Sequence, residues 1–490
     1  MDKKIIVIGS GFSGLSAASC LAKEGYNVTV LEKNATPGGR ARKFHEQGFT
    51  FDMGPSWYWM PEVFEQFFNL FGKKTADFYD LKRLDPSYNI FFKDESVDIP
   101  ASKKGLFELF EKYEPGSSKH LEAFLAEAKY KYQVGMTEFV FKPSLSLTEF
   151  ADSRILKSLF KLKMFTSIAK SIRSKFKNPK LRQLLEFPVL FLGATPQKTP
   201  SLYSLMNYAD LVLGTWYPMG GMNKIIEGFL AVAESQGVKI ICDQEVKEIY
   251  IPNGKAKKVI TQNNEYTCDV VINGGDYHHF EQTILNEKDR VYSQSYWDKR
   301  VMAPSSLLFY LGVNKKLKNL RHHNLFFDAD FDQHAKEIYD EPAWPTKPLF
   351  YACCPSVTDQ SVAPTGSENL FLLIPLAPEI EDTTELREKY FNIIMDRLEE
   401  RTGQEIRSAI VYKRSFAHKD FKKDYHSFKG NAYGLANTLW QTAFLKPKLK
   451  SKKVSNLYYT GQLTSPGPGV PPSIISGQVV ASEIIKTYSV

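Results

Sequence analysis

Short apolar runs and glycine-rich turns alternate through the first forty residues. The run at residues 3–8, rich in isoleucine and valine, predicts a buried parallel strand. The apolar periodicity from Phe12 to Lys23 predicts a helix, which Gly25 ends. A second apolar run at residues 27–31 predicts the next strand. The order strand, helix, strand indicates a βαβ unit and therefore an α/β fold with a parallel sheet.

The rest of the chain shows a largely helical part followed by a β-rich part. From about residue 60 to 200 the pattern is helical, until prolines interrupt it. Two further helices are predicted at residues 385–401 and from Ser473 onwards. Runs typical of strands lie at residues 238–242, 245–250, 256–260, 268–275, 307–313, 369–375 and 456–461. The strands that continue the first sheet are thus separated by long insertions, which predicts a discontinuous domain.

The turn after the first strand carries three spaced glycines, Gly9-x-Gly11-x-x-Gly14. In such a turn the first glycine permits a tight bend, the second lets the backbone approach a pyrophosphate, and the third lets the helix pack on the strand. The N–H groups of the helix start then face the phosphates. Glu32 directly follows the second strand, where an acidic side chain binds the ribose hydroxyls of an adenosine. These features together predict a dinucleotide site.

A second glycine motif, Gly38-Gly39-Arg40, lies shortly after this acid. A nicotinamide-binding domain needs no such motif. Flavoproteins of the glutathione-reductase and amine-oxidase type use it to approach the cofactor again, with the arginine near the pyrophosphate. The sequence therefore favours FAD as the dinucleotide.

Length and composition set broader bounds. At 490 residues the chain has room for two or three domains with large cores. Its 35 Phe and 25 Tyr fit either an aromatic core or an apolar cavity. The five cysteines lack Cys-x-x-Cys spacing, which suits a reducing cytoplasm. The adjacent Cys353 and Cys354 are interpreted as packed thiols rather than a redox pair.

Positive charge is concentrated in one segment, residues 153–185, which contains no Asp or Glu although the whole chain has a net charge of only +8. Its basic residues are Arg154, Lys157, Lys161, Lys163, Lys170, Arg173, Lys175, Lys177, Lys180 and Arg182. Interleaved Ile, Leu and Phe predict an amphipathic helix that docks on an anionic membrane surface. The alternative is a helix packed on its own domain with a solvated basic face.

Other partners and compartments are disfavoured. No nucleic-acid recognition module accompanies the charge, so no nucleic-acid partner is expected. The longest uncharged stretch, residues 454–482, holds four prolines and cannot span a membrane as one helix. The N-terminal lysines and apolar run are explained by the glycine fingerprint better than by a signal peptide.

Five motifs together resemble the bacterial phytoene desaturase family of carotenoid desaturases. They are the glycine fingerprint with Glu32, the Gly38-Gly39-Arg40 motif, and the segments at residues 51–56, 216–221 and 459–473. The first two are shared with amine oxidases, protoporphyrinogen oxidase and retinol saturase. The last is more specific to carotenoid desaturases, and the resemblance runs from end to end.

The resemblance implies FAD as the redox cofactor, hydride transfer to flavin N5, and a long isoprenoid substrate of the phytoene or carotenoid type. It also implies a cytoplasmic protein held peripherally at the inner face of the cell membrane, with a quinone or oxygen as electron acceptor. The implied cofactor-binding residues are Gly9, Ser10, Gly11, Ser13, Gly14, Glu32, Lys33, Gly39, Arg40, Met53, Gly54, Pro55, Ser56, Val246, Gly461, Val470 and Pro471.

Candidate catalytic groups are few. Arg182 resembles an arginine that the family places in the substrate cavity, but the acid found a few residues earlier in some relatives is not present in Lys177-Asn178-Pro179-Lys180. No Ser/His/Asp arrangement or metal-ligand cluster is predicted. The pairs His278-His279 and His322-His323 are interpreted as surface histidines whose adjacent side chains point apart.

The predicted architecture is a Rossmann-like FAD-binding domain with an inserted mixed-sheet substrate domain and a helical membrane-docking region. Their expected ranges are 1–75, 215–285 and 440–490 for the FAD domain, 76–110 and 286–439 for the substrate domain, and 111–214 for the docking region. The alternatives are a desaturase of a hydroxylated or later carotenoid, another flavin oxidase of the superfamily, or a flavin-free prenyl-lipid binding protein of the Rab-escort type.

Overall fold

The computed structural model describes residues 3–145, 166–438, 441–442 and 445–488. The first strand lies in the middle of a five-stranded parallel sheet, where Ile5 pairs with Val28 on one side and Val270 on the other. Ile5 is fully buried, as expected for a parallel strand covered on both faces. Across the sheet the strands are Leu457–Tyr459, Val270–Asn273, Lys4–Ile8, Asn27–Leu31 and Lys239–Ile241. The sheet therefore collects strands from nearly the whole length of the chain.

The first and last helices of the chain pack against each other on this sheet. The first helix spans Phe12–Lys23, as predicted. The last helix spans Val470–Tyr488 and begins three residues before the predicted Ser473. Prolines are accepted in a first helical turn, because no N–H is needed there, so Pro471 and Pro472 do not delay the helix. Ser16 Oγ donates to the carbonyl of Ile474 at 2.8 Å, which joins the two helices.

A seven-stranded mixed sheet forms the second body of the molecule. Its strands are antiparallel except for one parallel pair, Tyr88–Phe92 with His323–Phe327. Across the sheet the strands are Ile410–Phe416, Ser305–Val313, Glu368–Leu376, Phe350–Cys353, His323–Phe327, Tyr88–Phe92 and Ser96–Ile99. Two of these strands, Ser305–Val313 and Glu368–Leu376, extend runs that were predicted as strands.

Alternate side chains of this sheet serve two different cores. In the strand Ser305–Val313, Leu307 and Phe309 pack with Ile394 of the helix Thr384–Thr402. Leu308 belongs to the other core, which also contains residues of the five-stranded parallel sheet. The period of two in a strand places successive residues on opposite faces, so one face of the sheet is turned toward the rest of the molecule.

The region from residue 60 to 200 is less helical than predicted. Strands at Leu81–Arg83, Tyr88–Phe92 and Ser96–Ile99 interrupt it. Tyr88–Phe92 is buried throughout, and periodicity alone cannot distinguish such a short buried strand from a helix segment. The longer helices, apart from the three already described, are Pro61–Asn69, Lys103–Tyr113, Ser117–Val134, Pro179–Glu186, Asn223–Ser235, Phe331–Tyr339 and His418–Tyr425.

Three smaller β-structures complete the described chain. The hairpin predicted around residues 252–254 is present, with Val246–Tyr250 pairing with Lys258–Thr261. A third strand, Glu265–Thr267, extends it. Two further antiparallel pairs join Lys43–Glu46 to Phe49–Asp52 and Leu81–Arg83 to Trp216–Pro218.

The basic segment packs inward where the structure describes it. Residues 146–165 lie outside the described residues, and with them the first part of the predicted membrane helix, residues 153–165. Further along, Ile168, Ile172 and Phe176 are fully buried in the core. Arg173 pairs with the buried Glu186, and Lys180 pairs with Asp94 and Glu95. The expectation that these apolar residues face a membrane is therefore wrong for this part of the segment.

In the ranges that the structure describes, no helix combines the length and the apolar character required to cross a bilayer.

Candidate active site

A large cavity opens at the carboxyl ends of the parallel strands. It measures about 3010 Å³ including its open mouth. The space inside it that the centres of water-sized molecules can occupy is about 520 Å³, which lies within the range of about 300–1,000 Å³ typical of ligand pockets. Of the predicted cofactor residues it is lined by Gly9, Ser10, Gly11, Ser13, Glu32, Lys33, Gly39, Arg40, Met53, Gly54, Pro55, Ser56, Val246, Gly461, Val470 and Pro471.

The glycines of the first turn have different roles. A side chain at Gly11 would point into open space, with no described atom within 4 Å of its Cβ position. A side chain at Gly14 would overlap the carbonyl oxygen of Gly9, so this glycine permits the helix to pack on its strand. Gly14 is accordingly the one predicted cofactor residue that does not line the cavity.

Glu32 is buried at the tip of the second strand and holds the first turn in place. One carboxylate oxygen accepts hydrogen bonds from the N–H and the hydroxyl of Ser10, at 3.0 and 2.6 Å. The other accepts from the N–H and the side-chain amide of Asn34, at 2.9 and 2.8 Å. The acid therefore lies at the edge of the cavity. A ribose hydroxyl of a bound adenosine would replace the Ser10 hydroxyl or the Asn34 amide as a hydrogen-bond donor to its carboxylate.

Arg40 brings a buried positive charge to the same cavity. Its guanidinium donates to Ser427 Oγ at 2.9 Å and lies 5.0 Å from the Tyr425 ring centre. Burial lowers the pKa of Arg40, and its Nε makes no hydrogen bond within the described chain. A buried donor without a partner is costly, and a pyrophosphate would provide the missing acceptor. Arg40 thus fits the role predicted from the second glycine motif.

The segment Met53 to Ser56 is held from two sides. Tyr310, in the seven-stranded sheet, donates to the carbonyl of Met53 at 2.7 Å. Asp52 accepts from the N–H groups of Met222 and Asn223 at 2.7 and 2.9 Å. These contacts bring the motif at residues 51–56 against the motif at residues 216–221, and both against the substrate-side sheet.

The cavity has a polar end and an aromatic end. Its ionisable lining residues cluster around Glu32 and Arg40, and they are Lys33, Glu245, Asp276, His279, Asp424 and His426. Its other end is lined by aromatic side chains, namely Trp57, Trp59, Tyr132, Tyr203, Tyr351 and Tyr433. The polar end fits the ADP half of FAD, because it offers a ribose acceptor, a glycine turn at a helix start and a buried guanidinium.

The profile of the flavin-containing amine oxidoreductases matches residues 12–485. The chain belongs to this family. Its cofactor is FAD, as predicted from the second glycine motif, and it is an oxidoreductase. The fold is similar to that of a redesigned putrescine oxidase, which superposes with a TM-score of 0.65 at 13% identity, over 99% of both chains.

Two relatives define the branch of the family. The carotenoid 3,4-desaturase of Haloarcula japonica is 41% identical over 485 residues, covering 98% of each chain. The zeta-carotene-forming phytoene desaturase of Myxococcus xanthus is 29% identical over 492 residues, covering 99% of this chain and 94% of the relative. The predicted resemblance to carotenoid desaturases is confirmed.

Several cavity residues were not predicted. Phe421, Asp424 and Tyr425 come from the helix His418–Tyr425 and its end, which carries no motif. Asp276 lies just beyond the strand Val270–Asn273. The rule that ligands bind beyond the carboxyl ends of parallel strands points to that position, whereas nothing in the sequence marks the helix.

Arg182 lies away from the cavity. Its Nε donates to the carbonyl of Phe176 at 2.6 Å, and its Nη2 lies 3.4 Å from the carbonyl of Arg173. It is not among the described residues that line the cavity. The structure therefore differs from the expectation of a substrate-cavity arginine, because this side chain is used to hold the loop before its own helix.

The histidine pairs also differ from the prediction. His322 and His323 are 4% and 0% exposed, and their ring centres lie 4.5 Å apart at a steep angle rather than pointing apart. His278 and His279 are half-buried. Strand pairing places His323 opposite Cys353, and donor atoms of His322, His323 and Cys353 lie within 4.8 Å of one another. The sequence cannot reveal this grouping, because Cys353 belongs to a different strand.

Cys353 and Cys354 are buried free thiols, as predicted.

Proposed function

We propose that this chain is an FAD-dependent desaturase that introduces double bonds into a long-chain isoprenoid, converting phytoene toward a lycopene-type carotenoid. The end-to-end similarity to named carotenoid desaturases carries the proposal. The aromatic end of the cavity supports it, since a polyene hydrocarbon offers no polar group to bind and is held by apolar contact.

The protein's part in such a reaction is to bind, orient and exclude water. When bound, FAD supplies a hydride acceptor at N5. Glu32, Arg40 and the glycine turn would hold the ADP half, and Met53 to Ser56 would lie by the ring. The tryptophans Trp57 and Trp59 provide a dry wall for the hydrocarbon. Holding both molecules in one cavity supplies much of the rate enhancement. We further propose a quinone or oxygen as the final electron acceptor.

A second substrate is favoured by one observation. The relative named a carotenoid 3,4-desaturase is 41% identical, whereas the relative named a phytoene desaturase is 29% identical. A later, already conjugated carotenoid, including a hydroxylated one, is therefore the alternative substrate. A flavin-free prenyl-lipid binding protein is disfavoured, because the glycine turn and Arg40 are intact.

The test is product analysis with two substrates. The purified holoenzyme is given phytoene in one vesicle preparation and a lycopene-type carotenoid in another, and products are followed by absorption and mass. A loss of two hydrogens per step from phytoene, with absorption moving to longer wavelength, supports the first proposal. Dehydrogenation of the conjugated substrate alone supports the alternative. Dehydrogenation of neither would contradict both.

We propose that the protein collects this substrate from an anionic membrane surface on the cytoplasmic side. The support is the charge pattern of residues 154–165, together with the water-insolubility of the proposed substrate. Phe141, which precedes this stretch, is 41% exposed. The three-part division predicted from the sequence, with residues 111–214 as docking region, is retained as part of this proposal.

A further inference from the structure

Behind the aromatic end of the cavity, a buried imidazole is hydrogen-bonded to a cavity tyrosine. The Tyr351 hydroxyl lies 2.6 Å from His323 Nδ1 and 3.1 Å from Ser56 Oγ. Ser56 and Tyr351 both line the cavity. Trp57 stacks on the His323 ring, with centres 4.2 Å apart and planes 8° apart, and fixes its orientation. The three polar groups therefore form a continuous hydrogen-bonded row that leads away from the cavity.

A second histidine continues the row toward the surface. His322 Nδ1 lies 2.9 Å from the hydroxyl of Thr358, which is half-buried. The ring centres of His322 and His323 lie 4.5 Å apart. A water molecule that bridges the two rings would carry the row from one imidazole to the next. In the described chain neither Nε2 atom has a hydrogen-bond partner, so both are available to such a bridge.

Both imidazoles are neutral in the resting protein. Burial lowers the pKa of His322 to about 3 and that of His323 well below its usual range. The groups that face His323 are also uncharged near neutral pH, because burial raises the pKa of Cys353 to about 12 and that of Tyr351 well above its usual range. His322 has two charged neighbours, Asp359 and Lys82, which have opposite effects on its pKa. Burial disfavours the charged form of both imidazoles, so a proton that reaches either ring is held there only briefly.

We propose that Ser56, Tyr351 and His323 form a proton relay that carries the proton released by desaturation out of the cavity through His322 and Thr358. This rests on the proposed function. Removing two hydrogens from adjacent carbons breaks two C–H bonds and forms one π bond. One hydrogen leaves with its bonding pair, as a hydride, for which FAD would supply the acceptor. The other leaves as a proton, and its bonding pair becomes the π bond.

The proton can follow this path without Tyr351 becoming charged. The Tyr351 oxygen takes the proton, directly or from Ser56, as its own proton moves to His323 Nδ1. His323 holds the charge transiently and releases a proton from Nε2 toward His322. The tyrosine ends neutral, as it began. The row is restored when the Tyr351 and Ser56 hydroxyls turn back and each imidazole ring turns over, which returns His323 and His322 to the tautomers in which they began.

Few other groups at the aromatic end can accept the proton from the substrate. The acidic, basic and histidine residues that line the cavity lie at its ADP end. The competing candidate is Tyr132, which lines the cavity and donates to Glu62. Burial raises the pKa of Glu62, so that carboxyl is also a possible proton acceptor. The test below therefore includes both tyrosines.

The experiment measures flavin reduction by phytoene in vesicles, in the holoenzyme without oxygen, in H2O and in D2O. Tyr351→Phe should slow reduction about 100-fold with KM and FAD content unchanged, because only the relay hydroxyl is removed. The solvent isotope effect of the wild type should be lost. Tyr390→Phe is the matched control, since it removes a buried hydroxyl that donates to the carbonyl of Pro345 at 2.7 Å, far from the row. It should reduce at the wild-type rate.

A second readout does not depend on turnover. In holoenzyme with ¹⁵N-labelled histidine and no substrate, Tyr351→Phe should shift the His323 Nδ1 resonance, and Tyr390→Phe should not. If Tyr351→Phe fails to fold or to hold FAD, His323→Ala decides. Added imidazole should restore its reduction rate, and no restoration would overturn the relay.

The remaining outcomes distinguish a failure of the relay from a failure of the proposed function. Wild-type reduction rates in Tyr351→Phe would overturn the relay and leave the proposed function intact. A loss in Tyr132→Phe alone would assign the proton to Glu62 and would also overturn it. If the wild type is not reduced by phytoene or by a conjugated carotenoid, the proposed function fails and the relay with it, even where the NMR coupling is present.

Discussion

Asp52 caps the helix that begins at Asn223, with its Oδ1 accepting from the Asn223 N–H at 2.9 Å. Its other oxygen accepts from Met222 N at 2.7 Å. The Asn223 side chain in turn donates to the carbonyl of Ala41 at 2.8 Å. One carboxylate and one amide thus join three motifs that are separated by up to 180 residues of sequence. These contacts hold the three segments against one another at the wall of the cavity.

Removing this cap should loosen the site before it unfolds the protein. Asp52→Ala leaves two N–H groups without their acceptor, which costs about 1–2 kcal/mol. We expect a lower urea midpoint and a lower FAD content. Asp330→Ala is the control, because Asp330 caps a different helix by accepting from Gln333 N and does not line the cavity. It should lower stability by a similar amount with FAD content unchanged, and equal FAD loss in both variants would refute the linkage.

Substitutions at the second and third glycines of the first turn should have different effects. Gly11→Val places its side chain in the open cavity, so the protein should fold and lose FAD. Gly14→Val would overlap the Gly9 carbonyl, so it should unfold or become insoluble. Circular dichroism and the visible flavin spectrum separate the two cases. A folded Gly11→Val protein with normal FAD content would contradict the assignment of this turn.

Glu32 should control retention of FAD rather than the reaction. Glu32→Ala removes the acceptor for Ser10 and Asn34 and for the ribose, so we expect the Kd of FAD to rise about tenfold or more. At saturating FAD the turnover should equal that of the wild type, because the adenosine is remote from the reacting ring. Titration of the flavin-free protein measures the Kd, and an unchanged value removes Glu32 from the site.

The basic segment gives a test of membrane docking. Lys157, Lys161 and Lys163 lie outside the described residues, and Lys170 is exposed. Changing all four to Gln should reduce binding to anionic vesicles, since each basic residue near the surface adds about 1 kcal/mol. High salt should weaken wild-type binding in the same direction. Folding and FAD content serve as controls. Unchanged binding at low salt would place the docking surface elsewhere.

A buried lysine should make stability depend on pH. Lys446 is 3% exposed, its Nζ donates to Asn437 at 2.7 Å, and burial lowers its pKa to about 7. Between pH 7 and the usual lysine value of 10.5 the unfolded chain binds more protons than the folded one, so this residue makes stability rise with pH. The rise amounts to at most about 5 kcal/mol. In Lys446→Met that contribution should vanish.

The measurement is urea unfolding of both proteins at pH 7 and pH 9.5. The difference in unfolding free energy between variant and wild type should favour the variant at pH 7 and shrink at pH 9.5. A difference that is constant across this range would show that Lys446 does not titrate there in the folded protein.

The sequence was informative where a motif sits inside one element and poor where distant elements meet. The first helix and second strand have the predicted bounds, because Gly11 and Gly25 mark their ends locally. The buried strand Tyr88–Phe92 was missed because its pairing partner lies more than 200 residues away. The burial of His323 was missed for the same reason. In the structure, strand pairing places Cys353 opposite His323, and Trp57 stacks on its ring.

The central sheet also sets the order of events during synthesis. The edge strand Leu457–Tyr459 and the helix Val470–Tyr488, which packs on the first helix, are synthesised after every other strand of this sheet. A nascent chain therefore carries a complete glycine turn long before it has the walls of the cavity. FAD loading must wait until this strand and helix have been made, and a chain truncated slightly before residue 470 should carry the whole glycine fingerprint and still stay colourless.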